Sequence, residues 1–228
     1  MLFLNKKKLF QLDRRLQTCA SMVRENHVLA DIGTDHAYLP IWLVKKEVIK
    51  KAIASDINMG PLQKAAFNIR RYNVGKQVDA RLSDGLELIF PNEADDIVIA
   101  GMGGELIADI IEKAPWLKDA EKHLILQPMT SAPELRTYLS EHGFAVKQEQ
   151  DGDHIYTVMQ AEYDPEHVQT GQVFPYIGIL KADSDENKAY IQQQCSRLQK
   201  RVNGLRQSGK QEALANQTEQ ILEQIQQV

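Results

Sequence analysis

The sequence contains little cysteine and no long hydrophobic run. Only two of its 228 residues are cysteines, Cys19 and Cys195, and they lie far apart in the chain. Two isolated thiols do not form a metal-binding cluster, and free thiols are typical of the reducing cytoplasm. Because no stretch approaches about 18 uninterrupted apolar residues, no transmembrane helix is expected. The sequence therefore predicts a cytoplasmic protein that holds no metal ion and does not span a membrane.

A secretory signal and a strong net charge are also missing. The chain starts with the apolar residues Met1–Leu4 and only then becomes basic, which reverses the order of a secretory signal. The formal net charge is −4, which argues mildly against nucleic-acid binding. Residues 1–27 nevertheless carry a net charge of +4, and the remainder a net charge of −8. A basic arm on an acidic body can bind phosphates, although a solvated helix face would look the same. Its candidate phosphate contacts are Lys6, Lys7, Lys8, Arg14, Arg15 and Arg24.

Short apolar runs alternate with helical patterns over residues 28–160. The predicted strands are Val28–Ile32, Ala52–Ile57, Val78–Leu82, Ile97–Ala100, His123–Gln127, Ala145–Glu149 and Ile155–Gln160. The predicted helices are Leu39–Lys46, Pro61–Tyr72, Glu105–Lys113 and Pro133–His142. This alternation indicates βαβ units and a mostly parallel sheet in an α/β fold. The last two strands flank a turn at Gly152 and Asp153 that has no room for a helix, so they should form an antiparallel hairpin at one end of the sheet.

The composition changes after Tyr163, so we assign residues 1–164 to one domain and residues 165–228 to another. From Asp185 to Val228 the chain contains eleven glutamines and no proline. Apolar residues recur there at coiled-coil spacing, namely Ile191, Cys195, Leu198, Val202 and Leu205, then Leu214, Ile221, Ile225 and Val228. We predict an antiparallel coiled-coil hairpin whose apolar stripe packs on itself, on the body or on a second chain. The protein is accordingly expected to be a monomer or a weak homodimer.

Polar residues and glycines follow each of the first four predicted strands. Ligands of open parallel sheets bind beyond the carboxyl ends of the strands, so these residues are candidates for a site. Taken singly, each has an ordinary interpretation as a helix cap, a turn or a core residue, but their joint occurrence in strand order favours a ligand. They are Asp31, Gly33, Thr34, Asp35 and His36, then Asp56 and Ile57, then Asp84 and Gly85, then Gly101, Met102 and Gly103.

The first of these turns argues against a pyrophosphate cofactor. The pattern G-x-G-x-x-G would need glycines at the positions of Asp31, Gly33 and His36. A carboxylate at the first position repels phosphate and suits a phosphate-free cation such as S-adenosylmethionine, so a dehydrogenase is disfavoured. Asp56 lies 23 residues after Gly33, the spacing of the acid that accepts hydrogen bonds from ribose hydroxyls. Asp84 is placed to accept a hydrogen bond from an exocyclic amine such as that of adenine.

Five segments of the chain resemble one known family: "VLADIGTDHAYLP", "AIASDINMGPLQKA", "RLSDGLELI", "DDIVIAGMGGELI" and "LILQPMTSAPELRTYL". They look like the TrmK family of bacterial tRNA adenine-N1-methyltransferases, which modify adenine 22 in the D-arm. The resemblance covers most of residues 11–160 and extends to the helical tail. It implies a Rossmann-like class I methyltransferase sheet with a C-terminal coiled coil, S-adenosylmethionine as cofactor and tRNA as partner.

The resemblance also implies a role for each group of strand-end residues. The first turn would line the methionine end of the cofactor through Asp31, Gly33, Thr34 and His36. The ribose would be held by Asp56 and Ile57, and the adenine would face Asp84 and Gly85. The methyl group would meet the target base beside Gly101, Met102 and Gly103.

Methylation at N1 of adenine needs little acid–base chemistry, because the neutral base already offers a lone pair there. Excluding water and aligning the reacting atoms can lower the barrier by about 7–11 kcal/mol. A carboxylate near the cationic product would stabilise it. The catalytic candidates are therefore Asp31, Asp35 and His36, with Met102 beside the reacting centre. Open alternatives are a methyltransferase acting on a different RNA, a protein or a small molecule, and a non-catalytic nucleoside-binding scaffold.

Overall fold

The computed structural model describes residues 9–152, 155–209 and 211–228 of the chain. The strands of its single sheet are β1 (Val28–Ile32), β2 (Lys51–Asp56), β3 (Val78–Leu82), β4 (Asp96–Gly103), β5 (His123–Thr130), β6 (Phe144–Asp151) and β7 (Thr157–Tyr163). Their spatial order is β3-β2-β1-β4-β5-β7-β6. The pairs from β3 to β5 are parallel, and β7 is antiparallel to both of its neighbours. The predicted sheet with its terminal hairpin is confirmed, while Asp153 of the predicted turn lies outside the described residues.

Helices connect the strands and form the tail. They are α1 (Arg14–Met22), α2 (Tyr38–Lys45), α3 (Met59–Arg71), α4 (Gly104–Glu112), α5 (Ala132–Glu141), α6 (Phe174–Ile177), α7 (Asp185–Ser208) and α8 (Glu212–Ile225), with a short 3-10 helix at Pro115–Leu117. The helix α1 begins after Asp13, whose side chain accepts a hydrogen bond from the Leu16 N–H. Such a side-chain cap satisfies a backbone donor that the first helical turn leaves free. The four predicted crossover helices correspond to α2, α3, α4 and α5.

Strands β4 to β7 extend beyond their predicted ends, and the extension of β4 and β5 reaches a candidate motif. The apolar run of β4 stops at Ala100, yet pairing with β5 continues with Met102 opposite Pro128 and Gly103 opposite Thr130. The pairing register shifts on both sides of Met102. Because these residues are neither continuously apolar nor alternating, the hydrophobic pattern did not extend the strand to them. Strand pairing therefore holds the fourth candidate motif at the carboxyl end of β4.

Side chains from β1 alternate between two buried clusters on the two faces of the sheet. Ala30 and Ile32 belong to the cluster that also contains residues of α4 and α5. Leu29 belongs to the cluster that contains residues of α1, α2 and α3. Since helices cover both faces, the open edge at the carboxyl ends of the parallel strands remains for a ligand.

The tail packs on itself through a third buried cluster, which combines residues of α6, α7 and α8. Four residues of the predicted seam are buried in this cluster, namely Ile191, Leu198, Ile221 and Ile225, and Val202 is also buried. The prediction for Val228 was wrong, because α8 ends at Ile225 and Val228 is 48% exposed. Leu222, which the heptad spacing did not include, is buried instead. The stripe of α8 is therefore broader than a strict coiled-coil seam.

The start of the tail is joined to the body by a fully buried arginine. Arg136 of α5 donates hydrogen bonds to Glu149 Oε1 of β6 at 2.6 Å and to the Tyr190 hydroxyl of α7 at 3.1 Å. Its Nη1 donates to the Pro175 carbonyl oxygen in α6 at 2.8 Å. The other carboxylate oxygen, Glu149 Oε2, accepts from the Ile179 N–H at 3.0 Å. A buried charge is tolerated only when it is paired and hydrogen-bonded, and here the partners come from both body and tail.

Replacement of Arg136 tests this junction. We expect Arg136→Ala to lower the free energy of unfolding by about 3–5 kcal/mol, because it leaves the Glu149 carboxylate buried without a cation. Urea unfolding followed by circular dichroism measures the change. Arg206→Ala is the control, since Arg206 forms its ion pair with Glu219 at the surface of the tail, where such pairs contribute little. Equal losses in the two variants would contradict a special role for the buried pair.

Candidate active site

The candidate residues lie where the strand order of the sheet reverses. From β1 the sheet continues through β2 and β3 on one side and through β4 and β5 on the other. β1 and β4 are paired in parallel, with Ile32 opposite Ile99. The turns that follow these two strands therefore emerge side by side. This is the switch point at which open α/β sheets bind their ligands.

The turn after β1 is held in place by hydrogen bonds to neighbouring segments. Gly33 has a φ of +74°, a conformation that glycine adopts at low cost. The Thr34 N–H donates to the Ser55 carbonyl oxygen of β2 at 2.8 Å. Thr34 Oγ1 accepts from the Ala37 N–H at 3.1 Å, just before α2. The turn is thus rigid, and it presents bare backbone at Gly33.

Asp31 places an uncompensated carboxyl group inside this crevice. The residue is only 7% exposed, and burial raises the pKa of its carboxyl to about 6, an effect that the hydrogen bond with Thr34 opposes. Among the described residues, no lysine or arginine forms an ion pair with Asp31. At neutral pH the group is mostly ionised without a cationic partner. Such a site favours a ligand that brings positive charge.

Asp35 and His36 lie at the rim of the same turn. The Asp35 side chain is 61% exposed, with Oδ2 at 3.0 Å from His36 Nε2 and Oδ1 at 3.7 Å from Lys64 Nζ. The His36 ring stacks on Tyr38, with centroids 5.0 Å apart. The charge of Asp35 is therefore screened by water and by neighbouring nitrogen atoms, in contrast to that of Asp31.

The turn after β2 combines a buried acid with an exposed apolar residue. Asp56 is 8% exposed, and its Oδ1 accepts from the Asn58 N–H at 2.7 Å. The side chain of Ile57 is 57% exposed. Ser55 Oγ is buried and has no hydrogen-bond partner among the described residues. Ser55 directly precedes the predicted Asp56, but the sequence analysis assigned it no role in the site.

The turn after β3 is more open. Asp84 is exposed, and Leu82 at the end of β3 is 42% exposed. Gly85 has a φ of +52°, and a Cβ there would lie 3.1 Å from Ile110 of α4. The structure thus explains Gly85 by the shape of its turn, whereas a contact with adenine remains a prediction.

The fourth motif faces the first across the switch point. Gly101 has a φ of +81°. The partly buried Met102 reaches over Gly33, so that a Cβ on Gly33 would overlap the Met102 methyl group. A Cβ on Gly103 would lie 3.1 Å from Thr130 Oγ1. The structure therefore brings Asp31, Gly33 and Met102 together.

A polar link that the sequence analysis missed connects α1 to this motif. Gln127 is fully buried at the end of the apolar run of β5. Its Oε1 accepts from Arg15 Nη1 at 2.7 Å and from the Gly101 N–H at 3.1 Å. Arg15 Nη1 also lies 3.5 Å from Met129 Sδ. The sequence offered one signal for this link, a glutamine at the end of an otherwise apolar strand. In the structure, Gln127 places the Arg15 guanidinium beside Gly101.

Arg24, which was predicted to belong to the basic arm, is hydrogen-bonded to other parts of the protein. Its backbone N–H and its Nε each donate to Asp96 at 2.7 Å, and its Nη2 donates to the carbonyl oxygens of Asp95 and Glu121. These partners lie at the amino ends of β4 and β5, away from the switch-point crevice. Arg24 therefore joins the segment that follows α1 to the amino ends of β4 and β5, and its contact with RNA stays a prediction.

The other predicted arm residues differ among themselves. Arg14 pairs with Asp151 at 3.2 Å and with Glu186 at 3.6 Å, which ties α1 to β6 and to the tail. Lys6, Lys7 and Lys8 lie outside the described residues. Of the predicted contacts that the structure describes, Arg15 is thus the residue at the crevice.

Two further features of the described chain bear on its chemistry. In residues 9–152, 155–209 and 211–228, no three His, Cys, Asp or Glu side chains are grouped so that they could hold a metal ion. None of the helices in these ranges is long and apolar enough to cross a bilayer. Burial raises the pKa of the Cys19 thiol to about 12, which keeps it protonated and unreactive at neutral pH.

Known proteins with similar sequences are methyltransferases. Residues 12–159 match the family described as "Methyltransferase domain". The tRNA (adenine(22)-N(1))-methyltransferase of Bacillus subtilis (strain 168) is 40% identical over 156 residues. That match includes 67% of this chain and 65% of the B. subtilis protein, so the chain spans slightly less than two thirds of this relative.

Solved structures extend the similarity along the chain. The B. subtilis m1A22 tRNA methyltransferase TrmK has a TM-score of 0.78 at 32% identity, and the match covers 96% of each chain. A Streptococcus pneumoniae protein crystallised with S-adenosyl-L-methionine also has a TM-score of 0.78, at 30% identity over 94% of this chain and 99% of its own. The chain therefore belongs to the methyltransferase-domain family and, within it, to the TrmK family.

Proposed function

We propose that this chain transfers a methyl group from S-adenosylmethionine to N1 of adenine 22 in the D-arm of tRNA. The observation that carries the proposal is the buried Asp31 carboxyl, which has no cationic partner among the described residues and lies beside Gly33 at the switch point. This arrangement suits a cationic, phosphate-free nucleoside. The B. subtilis relative, a tRNA (adenine(22)-N(1))-methyltransferase, supports the choice of substrate.

The residues of the crevice fit this cofactor. Asp31 offers an anion to its positively charged end, and Asp56 Oδ2 is left to accept hydrogen bonds from ribose hydroxyls, since Oδ1 already accepts from Asn58. Ile57 and Leu82 expose apolar side chains at the ends of β2 and β3, where covering them with a purine ring would remove apolar surface from water. When bound, S-adenosylmethionine supplies an electrophilic methyl group on a positively charged sulfur.

The chain's own contribution to the reaction is positioning. No residue has to remove a proton from the target, because adenine N1 already carries its lone pair. Gly101 has no side chain, and its N–H is held by Gln127, so a planar base can approach the backbone of β4 closely. Met102 covers Gly33 and excludes water from the same place. Such alignment is the main source of rate for this class of transfer.

A buried carboxylate also stabilises the positive charge that the adenine acquires. The attraction is strongest where water is excluded, which favours Asp31 over the rim residues Asp35 and His36. N1 lies on the pairing edge of adenine, so the base has to leave its stack to reach the crevice. Arg15 and Arg14 are the described residues of the basic arm that we expect to contact phosphates of the RNA, and for Lys6, Lys7 and Lys8 this contact is a prediction from the sequence alone. We expect the enzyme to act in the cytoplasm as a monomer or a weak homodimer.

The activity is tested with a tRNA transcript that carries adenine 22 and with a donor that carries an isotopically labelled methyl group. We expect labelled 1-methyladenosine, and fragment mass spectrometry should place it at nucleotide 22. A transcript with guanine at that position is the control and should stay unlabelled. Label in N6-methyladenosine or at another nucleotide, or binding of the donor without RNA methylation, would overturn the proposal.

The carboxyl group of Asp31 predicts how cofactor affinity depends on pH. Its pKa of about 6 means that acid protonates the group and removes the charge that attracts a cation. The affinity for S-adenosylmethionine should therefore rise as the pH increases through about 6 and then level off. Isothermal calorimetry between about pH 5 and pH 8 measures this. Asp31→Asn should bind at least tenfold more weakly at pH 8 and lose the pH dependence, whereas Asp35→Asn should behave like the wild type.

Gly33 predicts a steric effect on the same affinity. In Gly33→Ala the new Cβ would displace the Met102 methyl group, and the left-handed φ would cost roughly 1–2 kcal/mol. We expect at least a tenfold loss of S-adenosylmethionine affinity together with a lower melting temperature. Gly204→Ala is the matched control, because Gly204 lies within α7 with open space around its Cβ position, and this change should leave binding intact. An unaltered affinity in Gly33→Ala would count against the assignment of this turn.

A further inference from the structure

A strongly basic segment follows the second strand. Residues 57–78 contain four basic side chains and no acidic one, although the whole chain has a net charge of −4. The segment includes all of α3 and leads into β3. Its cations are Lys64, Arg70, Arg71 and Lys76. This surface is distinct from the basic arm at the start of the chain.

The exposed face of α3 combines these cations with an aromatic ring. Lys64, Phe67, Arg70 and Arg71 are all exposed, and their spacing of three and four residues places them on one face of the helix. Phe67 is 57% exposed. Among the described residues, neither Arg70 nor Arg71 has an ion-pair partner, while Lys64 lies 3.7 Å from Asp35. Exposed cations interleaved with aromatic rings are the chemistry that binds single-stranded nucleic acid.

A cavity of about 380 Å³ opens between α3 and the segment that precedes α1. Phe10, Tyr38 and Tyr72 line it, with the Phe10 ring centroid 4.8 Å from that of Tyr38 and 5.2 Å from that of Tyr72. The Arg71 guanidinium carbon lies 5.9 Å from the Tyr72 centroid. The volume falls within the range of sites for small molecules. Aromatic walls beside an arginine without an ion pair suit a nucleobase with its phosphate.

The cavity adjoins the proposed active site on two sides. Tyr38 stacks on His36, which belongs to the turn that follows β1. Asp13 lines the cavity, and Arg15, two residues further along the chain, reaches the Gln127 side chain beside Gly101. Two residues separate Cα positions by at most about 7 Å. The Arg15 and Gln127 side chains span the remaining distance to Gly101, so a nucleotide in the cavity and a base at Gly101 could belong to one RNA strand.

We propose that this cavity and the basic face of α3 bind an unstacked nucleotide of the substrate RNA that neighbours the target adenine. Its base packs against the cluster of Phe10, Tyr38 and Tyr72 from the cavity side, and its phosphates contact Arg71 and Arg70. The inference rests on the proposed function, since it assumes an RNA substrate. Stacking on aromatic rings accepts any base, so the contact contributes affinity and placement of the strand. The cavity lining contains none of the residues assigned above to the cofactor.

Substitutions in the full-length chain separate this site from the cofactor site. Tyr38→Leu removes the ring, Tyr38→Phe keeps it, and Arg71→Gln removes a phosphate contact. Lys76→Gln is the matched control, because Lys76 comes from the same acid-free segment but lines a different cavity at the amino ends of β1 to β3. Fluorescence anisotropy of an end-labelled tRNA transcript, measured over a salt series, reports RNA affinity. Calorimetry with S-adenosylmethionine and thermal melting report the cofactor site and folding.

We expect Tyr38→Leu to bind the transcript about tenfold more weakly, and Tyr38→Phe to bind it normally. Arg71→Gln should weaken binding and reduce the magnitude of the slope of log affinity against log salt by about one. Lys76→Gln should match the wild type, and all four variants should keep their affinity for S-adenosylmethionine.

Wild-type RNA affinity and salt slope in both Tyr38→Leu and Arg71→Gln would overturn the inference, as would an equal loss of S-adenosylmethionine affinity. If Tyr38→Leu melts at a lower temperature, Arg71→Gln decides the matter, because it alters an exposed side chain. Failure of the proposed function has a different readout, namely a wild-type chain that does not methylate the transcript. In that case RNA binding by the variants still tests the cavity.

Discussion

The parallel pairing of β1 with β4 is the constraint on which the site depends. It places the end of one strand, with Asp31 and Gly33, directly beside the end of the other, with Gly101 and Met102. The residues of either turn, taken alone, do not indicate a function. Together they bring a buried carboxyl group and a glycine covered by the Met102 side chain to the carboxyl ends of the strands of a sheet that is covered on both faces. The sheet topology therefore brings the two turns together, and the residues in them determine which ligand the crevice can bind.

Most of the fold could be predicted from the sequence, because hydrophobic periodicity and turn residues are local signals. The strand Val28–Ile32 was predicted with its observed bounds, and each crossover helix to within two residues. Parallel strands with helical connections leave few topologies, so the carboxyl-end position of the candidate residues followed as well. The expectation of a cationic ligand rests on one acid that stands in the place of a glycine, Asp31. The proposed RNA substrate rests on the resemblance of whole motifs, which no single spacing supplies.

The rest depended on contacts between residues distant in sequence. Arg24 looked like a member of a basic arm, yet it meets Asp96 more than 70 residues later. Gln127 looked like the end of a strand, yet it joins Arg15 to Gly101. The acid-free composition around α3 was visible in the sequence, but only the folded chain shows that one of its cations, Arg71, lines an aromatic cavity. Such pairings are set by three-dimensional packing, which periodicity does not encode.

The arginine junction between α5 and the tail restricts how this protein can evolve. Because Arg136 draws its acceptors from α6 and α7 as well as from β6, a chain truncated before Pro175 would keep the ion pair with Glu149 but lose the acceptors at Pro175 and Tyr190. Length changes are tolerated far more easily at the distal tip, where Gly209 follows α7 and open space surrounds its Cβ position. Homologues can thus lengthen or shorten the hairpin at its tip, but the junction between Arg136 and the start of the tail has to be retained.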